Sequence, residues 1–338
     1  MKKILGFLNS LEGKTIILMH SAADVDSFSA SAMLCFALKK KKKNVLLAAP
    51  DKLNLEAQKL ASKLDISYFV NPSFNDASNL ILVDFNSLKM LGALQERFLE
   101  FKGSIALIDH HSISEDKIKA QAELIQKHSI STTVIIYDLM TALKVPLDKR
   151  TAILLASGII SDSAHFLVAD EKSFSLMSEA LKKSNKDYLS ILDLFHTEAD
   201  VSEKIASLKA LRRAKIYRVN DFLLCTSTVS TFEAKAAIHL VKAGADAAFV
   251  VSGGNKETRL SARANNSFVE KTGYDLTKVL HGLDVEEKKF PGAAGGHAAA
   301  AGFTGGPGID SEALLKKCIE LSHELLSKKF PGIQLKEY

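Results

Sequence analysis

Along the first 110 residues, short apolar runs alternate with stretches of helical spacing. Lys14 to His20, Asn44 to Ala49, Ile66 to Val70, Leu80 to Asp84 and Ser104 to Asp109 read as strands. Short apolar runs of this kind suit strands buried on both faces, as in a parallel sheet. Between them, Phe28 to Leu38, Leu53 to Leu64 and Leu88 to Phe101 read as helices. Asp26 or Ser27 stands where the first of these needs its N-cap. Strand and helix in alternation predict a parallel sheet with right-handed crossovers. Two more helices are expected, from Val134 to Leu143 and from about Leu147 to Ile160, with Gly158 loosening the last turn.

The pattern then changes. Helices continue to about Leu211, and the charged stretch from Glu198 to Arg213 reads as a connector. A second α/β unit begins near Ile216. Phe222 to Val229 and Ala247 to Val251 read as strands, Phe232 to Ala243 and Glu312 to Lys328 as helices. Thr258 to Arg263 alternates, so Arg259, Ser261 and Arg263 share one face. After Gly295-Gly296-His297, Ala298 to Ala301 reads as a helix start, whose free amides would hold an anion. A chain of 338 residues exceeds one typical core. The fold class expected is α/β in two domains: an N-terminal parallel-sheet domain (1–190), a helical connector (191–213) and a smaller C-terminal α/β domain (214–338), with a cleft between the domains.

Composition changes this picture little. The chain is 47% hydrophobic and 25% charged, with a net charge of +5. That is ordinary for a globular protein and compatible with an anionic substrate. Cys35, Cys225 and Cys318 form no paired motif, so the setting expected is a reducing cytoplasm. The first residues do not form a signal peptide, and no stretch has the length of a membrane span. Lys39 to Lys43 has two readings, a basic patch for nucleic acid or cations closing a helix.

The chemistry lies where strands stop. His20, Asp84, Asp109, His110 and His111 follow apolar runs, Asp24 and Asp26 lie in the segment between the first strand and its helix, and Asp162 follows a later helix. In open α/β sheets, ligands sit outside the carboxyl ends of the strands. So many carboxylates at one sheet edge are costly without positive charge. Two divalent cations would supply it, and His with Asp is a ligand set for such ions.

His20-x-x-x-Asp24-x-Asp26, Asp84, Asp109-His110-His111, Asp162 and Gly295-Gly296-His297, in that order, resemble the motifs of DHH phosphoesterases. The terminal part is similar to the DHH-associated domain of the RecJ-like and oligoribonuclease (nanoRNase) branch. The resemblance implies that His20, Asp24 and Asp84 hold one metal. Asp26, Asp84, His110 and Asp162 would hold the other, with Asp84 bridging. It implies that Asp109 supports the centre and that His111 faces the substrate phosphate. Gly295, Gly296, His297 and Arg263 would bind substrate. Manganese is the metal implied, with magnesium or cobalt as alternatives.

The activity implied is hydrolysis of short RNA or single-stranded DNA by water activated between two metals. One alternative is a phosphatase for a small nucleotide such as 3′-phosphoadenosine 5′-phosphate. Another is a relative without catalysis in a replication or repair complex. A homodimer is compatible with all three readings, and no membrane partner is expected.

Overall fold

The first unit is organised by six parallel strands that run under their helices in a single sheet. The structure is a computed structural model describing residues 1–198, 200–253, 257–283 and 289–338. The chain divides into Met1–Thr197 and Glu198–Tyr338. The strands of the first unit are β1 (Lys14–Leu18), β2 (Val45–Ala49), β3 (Phe69–Val70), β4 (Ala77–Val83), β5 (Ser104–Asp109) and β6 (Ala122–Ile125). They pair in the order β3-β2-β1-β4-β5-β6, every pair parallel. The helices are α1 (Lys2–Ser10), α2 (Val25–Lys40), α3 (Leu55–Lys63), α4 (Gln95–Glu100), α5 (Thr132–Ala142), α6 (Lys149–Asp162), α7 (Glu171–Ser184) and α8 (Tyr188–Leu192).

Alternate strand residues feed two cores, because successive side chains point to opposite faces. Ile17, Met19, Ile81, Val83 and Ile108 join α2, α5 and α6 on one side. Ile16, Leu18, Leu80, Leu82 and Leu107 pack under Leu91, Leu94 and Phe98 on the other. The apolar runs therefore lack a polar face. From β1 the chain moves toward β2 and β3, and from β4 toward β5 and β6. The neighbours β1 and β4 thus flank the switch point, where open α/β sheets place their ligands.

Local signals explain most element ends. Asp24, not Asp26 or Ser27, caps α2, accepting from the Ser27 amide at 3.0 Å. Helix α2 thus starts three residues before the expected Phe28, and Asp26 falls in its buried first turn. The expected helix over Leu88 to Phe101 is a 3-10 segment followed by α4, broken where Gly92 takes φ 52°. The lysine run closes α2: Lys40 pairs with Asp148 at 2.6 Å, and Lys43 donates to the Asn9 and Leu11 carbonyls. Gly158 does not loosen an end. It lies inside α6, where a side chain would meet Asp26 and Thr133.

The second unit has α9 (Val201–Arg212), β7 (Lys215–Val219), β8 (Phe222–Val229), α10 (Glu233–Lys242), β9 (Ala247–Gly253), β10 (Thr258–Ala264), α11 (Asn266–Thr272), α12 (Leu276–His281), β11 (Gly292–His297), β12 (Ala300–Gly305), α13 (Ser311–Ser327) and β13 (Leu335–Glu337). The sheet order is β11-β12-β10-β9-β8-β7-β13. Helix α9, within the stretch read as connector, packs on α10 and β8 of this unit. Residue 199 of that stretch lies outside the described residues. Phe249, Val251, Leu260, Phe303 and Leu314 make the core on one face, and Ala210, Ala237, Ala248 and Val250 on the other.

One expectation is overturned here. No helix starts at Ala298. Residues 298 and 299 are a two-residue turn joining β11 to β12, so no helix N-terminus faces an anion there. The turn's carbonyls accept from the Leu276 and Ala264 amides at 3.0 and 2.9 Å. A run of small residues carries no periodicity of its own, and the β12 ladder decides its conformation. Among the described residues, no helix is long and apolar enough to cross a membrane.

Candidate metal centre

The carboxyl ends of β1, β4 and β5 deliver His20, Asp84, Asp109, His110 and His111 to one rim. The first turn of α2 adds Asp24 and Asp26, and the last residue of α6 adds Asp162. Among the described residues, His20, Asp24 and Asp84 offer ligand atoms within 4.8 Å of one another, as do Asp26, His110 and Asp162. Asp84 touches both groups: Oδ2 is 3.7 Å from His20 Nε2, and Oδ1 is 3.6 Å from His110 Nε2. It stands just past β4 with φ 72°, in the left-handed region that non-glycine residues rarely use. Strained backbone of this kind clusters at functional sites.

Both histidines are aimed by backbone carbonyls. His20 Nδ1 donates to the Ser21 carbonyl at 2.8 Å, and His110 Nδ1 to that of Ser129 at 3.1 Å. Each Nε2 is thereby turned to the carboxylates, as in metal-bound histidines whose other nitrogen has an oxygen partner. His110 Nε2 is buried and has no hydrogen-bond partner. Asp162 Oδ2 lies only 3.2 Å away, a distance without hydrogen-bond geometry. A lone pair facing anionic oxygens needs a cation between them, either a proton or a metal ion. Burial would lower the His110 imidazole, but Asp162 and Asp26 outweigh it and push it up to about 9.

The carboxylates are strained in the complementary sense. Burial, then Asp162, holds Asp26 well above the usual carboxylate range. Burial, then Asp26 and Asp24, does the same to Asp84. Asp26 is nonetheless anchored. It accepts from the Thr132 and Thr133 amides at 2.7 and 3.1 Å and from the Thr133 hydroxyl. Those amides open α5, so its N-terminus partly neutralises the acid. Thr132 Oγ1 donates to Asp84 at 2.7 Å. A Cβ on Gly158 would stand 2.7 Å from Asp26 Oδ1, so only glycine leaves room for this arrangement. Histidine and aspartate in these groups fit hard or borderline divalent ions, and the unsatisfied Nε2 fits them best of all.

Asp109 is in none of these groups. It is fully buried and accepts from the His111 amide, His111 Nδ1 and Asn86 Nδ2. Burial would raise its carboxyl, but the His111 bonds outweigh that and lower it. His111 also comes within metal-binding reach of Asp84 and His110. Its nearer nitrogen is Nδ1, 3.8 Å from Asp84, and that atom is already bonded to Asp109 at 2.8 Å. The ring is 54% exposed, so Nε2 is left for solvent or substrate.

Four residues of the centre carry no role in the motif reading: Asn86, Ser129, Thr132 and Thr133. Ser131-Thr132-Thr133 before a helical run is their one visible signal. Asn86 and Ser129 act through contacts with residues 23 and 19 positions away.

In the second unit, Arg263 and His297 are both in register with Ala300, on the strands either side of it. Partners in one rung share a face, so the two side chains stand about 10 Å apart on one surface. Ser261, Gly302 and Gly295 make the next rung on that face, and Arg263 donates to Ser261 Oγ at 3.2 Å. Nothing lies within 4 Å of a Cβ placed on Gly295. Gly296 is different: at φ 141° a Cβ would strike the Ala301 backbone, so this glycine serves the hairpin. His297 is exposed.

An open, doubly wound α/β sheet with an acid–imidazole centre at its switch point defines the class. Residues 14–159, within the first unit, match the DHH family, N-terminal domain. An uncharacterized protein of Methanocaldococcus jannaschii is 29% identical over 297 residues, covering 86% of this chain and 82% of its own. An exopolyphosphatase-related protein from Bacteroides fragilis has a similar structure, with a TM-score of 0.69 at 17% identity. The match covers 97% of this chain and 96% of that one. The DHH domain of a member of a ribosomal protein family is similar at a TM-score of 0.57 and 15% identity, covering 98% and 90%. These two likenesses show the fold.

Proposed function

We propose that this protein is a metal-dependent phosphoesterase that hydrolyses phosphodiester bonds in short or single-stranded nucleic acid, with manganese as its metal. The observation that carries this reading is the buried His110 Nε2, without a hydrogen-bond partner though Asp162 and Asp84 oxygens lie 3.2 and 3.6 Å away, at the switch point of a sheet that matches the DHH family. His20, Asp24 and Asp84 would hold one ion, and Asp26, His110, Asp162 and Asp84 the other. Such ions supply Lewis acidity at a phosphoryl oxygen and make water more acidic.

The chain's own groups supply the rest. Asp109 fixes the His111 tautomer, so His111 Nε2 meets a substrate phosphate or passes a proton. Arg263 suits a terminal phosphate, which a guanidinium can grip with two parallel hydrogen bonds. His297 on the same rung would add a donor, and the open backbone at Gly295 admits the substrate closely. Cys35, Cys225 and Cys318 are buried and unbridged, which supports a reducing compartment, and the cytoplasm is the proposed setting.

The test offers end-labelled RNA and DNA, from dimers to long oligomers, to manganese-loaded protein. 3′-Phosphoadenosine 5′-phosphate is run beside them. Shortening of single strands or dimers, abolished by chelator, is expected. Hydrolysis of the bisphosphate nucleotide alone would move the activity to a phosphatase. No hydrolysis of any of them by fully loaded protein would overturn the reading.

A further inference from the structure

The rim that carries the metal-type centre continues past β5 to the edge strand β6. There a groove of about 610 Å³ opens, floored by Ile113, Ile125, Ile130 and Val134 and rimmed by Lys127 and His128. Ile113 is 54% exposed on the loop after His111. Lys127 and His128 are exposed, and their side chains have no partner among the described residues. The other two charged groups at the rim are occupied: Lys172 pairs with Asp138 at 2.6 Å, and Asp170 caps α7. Two unpaired cation-forming side chains thus border an apolar floor.

The groove is tied to the centre through its own wall. The Gln126 amide donates to the Asp109 carbonyl at 2.9 Å, and the Ser129 carbonyl accepts from His110 Nδ1 at 3.1 Å. The same loop therefore shapes the groove and aims a ligand of the centre. Resting on the phosphodiesterase reading, we propose that this groove receives one nucleobase of the substrate, with Lys127 and His128 engaging the phosphate of that nucleotide. The volume is within the ordinary range for small-molecule sites, roughly 300–1,000 Å³. A flat ring can lie on branched aliphatic side chains, and the paired demand for an apolar floor and cations fits a base joined to a phosphate. The isoleucines offer no hydrogen-bond code, so the groove favours a base over no base, with little choice among bases.

The experiment compares a normal dinucleotide with dinucleotides abasic at one position or the other, using manganese-loaded protein and its Ile113→Ser and Lys127→Ala variants. Both changes fall on exposed loop residues, and metal content and melting temperature check each variant. In the parent, removing the grooved base should lower kcat/KM about tenfold, the scale of burying part of an apolar ring. In Ile113→Ser most of that difference should vanish, because the partner of the base is gone. Lys127→Ala should raise KM for the normal dinucleotide. A parent indifferent to loss of either base, or an Ile113→Ser variant with the full base preference, overturns the groove and leaves the phosphodiesterase reading standing. A loaded parent that cleaves no dinucleotide overturns that reading itself, and the groove falls with it.

Discussion

Asp109 holds His111 at two points, accepting from its amide at 3.1 Å and its Nδ1 at 2.8 Å. An ionised carboxylate only accepts, so Nδ1 carries a proton and Nε2 is the nitrogen left facing outward. Asp109→Asn places an amide there, which can present a donor and reverse the tautomer. Turnover should fall by roughly 10–100-fold, the scale for groups that orient a site's histidines. Metal content should be unchanged. Steady-state kinetics beside metal analysis checks this, and an unchanged turnover would remove His111 from the chemistry.

Asp84 offers one oxygen toward each histidine of the centre. Asp84→Ala should therefore weaken both metal sites together, whereas Asp24→Ala should chiefly weaken the one with His20. Titration with manganese, followed by metal analysis after gel filtration, separates the two variants. Retention of full metal content by Asp84→Ala would show that it bridges nothing.

The pH dependence of the metal-free protein follows from three shifted groups. Asp26 and Asp84 have raised carboxyl groups in the fold, and His110 is raised to about 9. In each case the folded chain binds protons more tightly than the unfolded one. Stability from these groups is fully present below their unfolded values, near 4 for the acids and 6.5 for the histidine. It is lost as pH rises through the folded values. In chelator, the melting temperature should fall as pH rises, for His110 across about pH 6.5 to 9. If manganese binds as proposed it would take the place of these protons, so the gap between loaded and metal-free protein should widen with pH. Calorimetry across this range decides it, and a constant gap would mean that the centre does not govern stability.

Gly158 is the helical glycine that makes room for Asp26 and Thr133. Alanine favours a helix interior by about 1 kcal/mol over glycine, so Gly158→Ala would stabilise an unconstrained helix. Here the new Cβ displaces an acid bonded to the start of α5, and overpacking of this kind costs about 1–3 kcal/mol. The expected outcome is a lower melting temperature and weaker metal binding together. A stabilised variant with unchanged metal affinity would contradict the packing described.

Arg263 and His297 meet at one rung of the second sheet, and neither belongs to an acid–imidazole cluster among the described residues. Their removal should act on binding. Arg263→Ala should raise KM for a short substrate with little change in kcat, because its contact is made in ground and transition states alike. His297→Ala should leave metal content intact and weaken dinucleotide hydrolysis by about 1–3 kcal/mol, the scale of a hydrogen bond to a charged group. Equal loss of kcat in both would assign them to the chemistry.

Much of the site is legible because its signals are local. An apolar run ending in Asp or His marks a strand that delivers a candidate ligand, as at His20, Asp84 and Asp109, and five motifs in order, these among them, point to the DHH resemblance. The parallel sheet is legible for the same reason: residues buried on both faces need no polar alternation. What the sequence could not decide was anything made by contact between distant segments. Asp26 is anchored by Thr132 and Thr133, more than a hundred positions away, and Gly158 matters only because that contact passes beside it. The turn at residues 298 and 299 reads wrongly from sequence because alanines satisfy a helix or a hairpin locally, and pairing with β10 and β11 chose the hairpin. Asn86 and Ser129 are silent because a buried amide or a backbone carbonyl acquires a role only when folding aims it. The sequence by itself determined which ligand types stand at strand ends. Only the tertiary structure decided which of them share a charge, since the cost of burying like charges depends on distances that no spacing along the chain records.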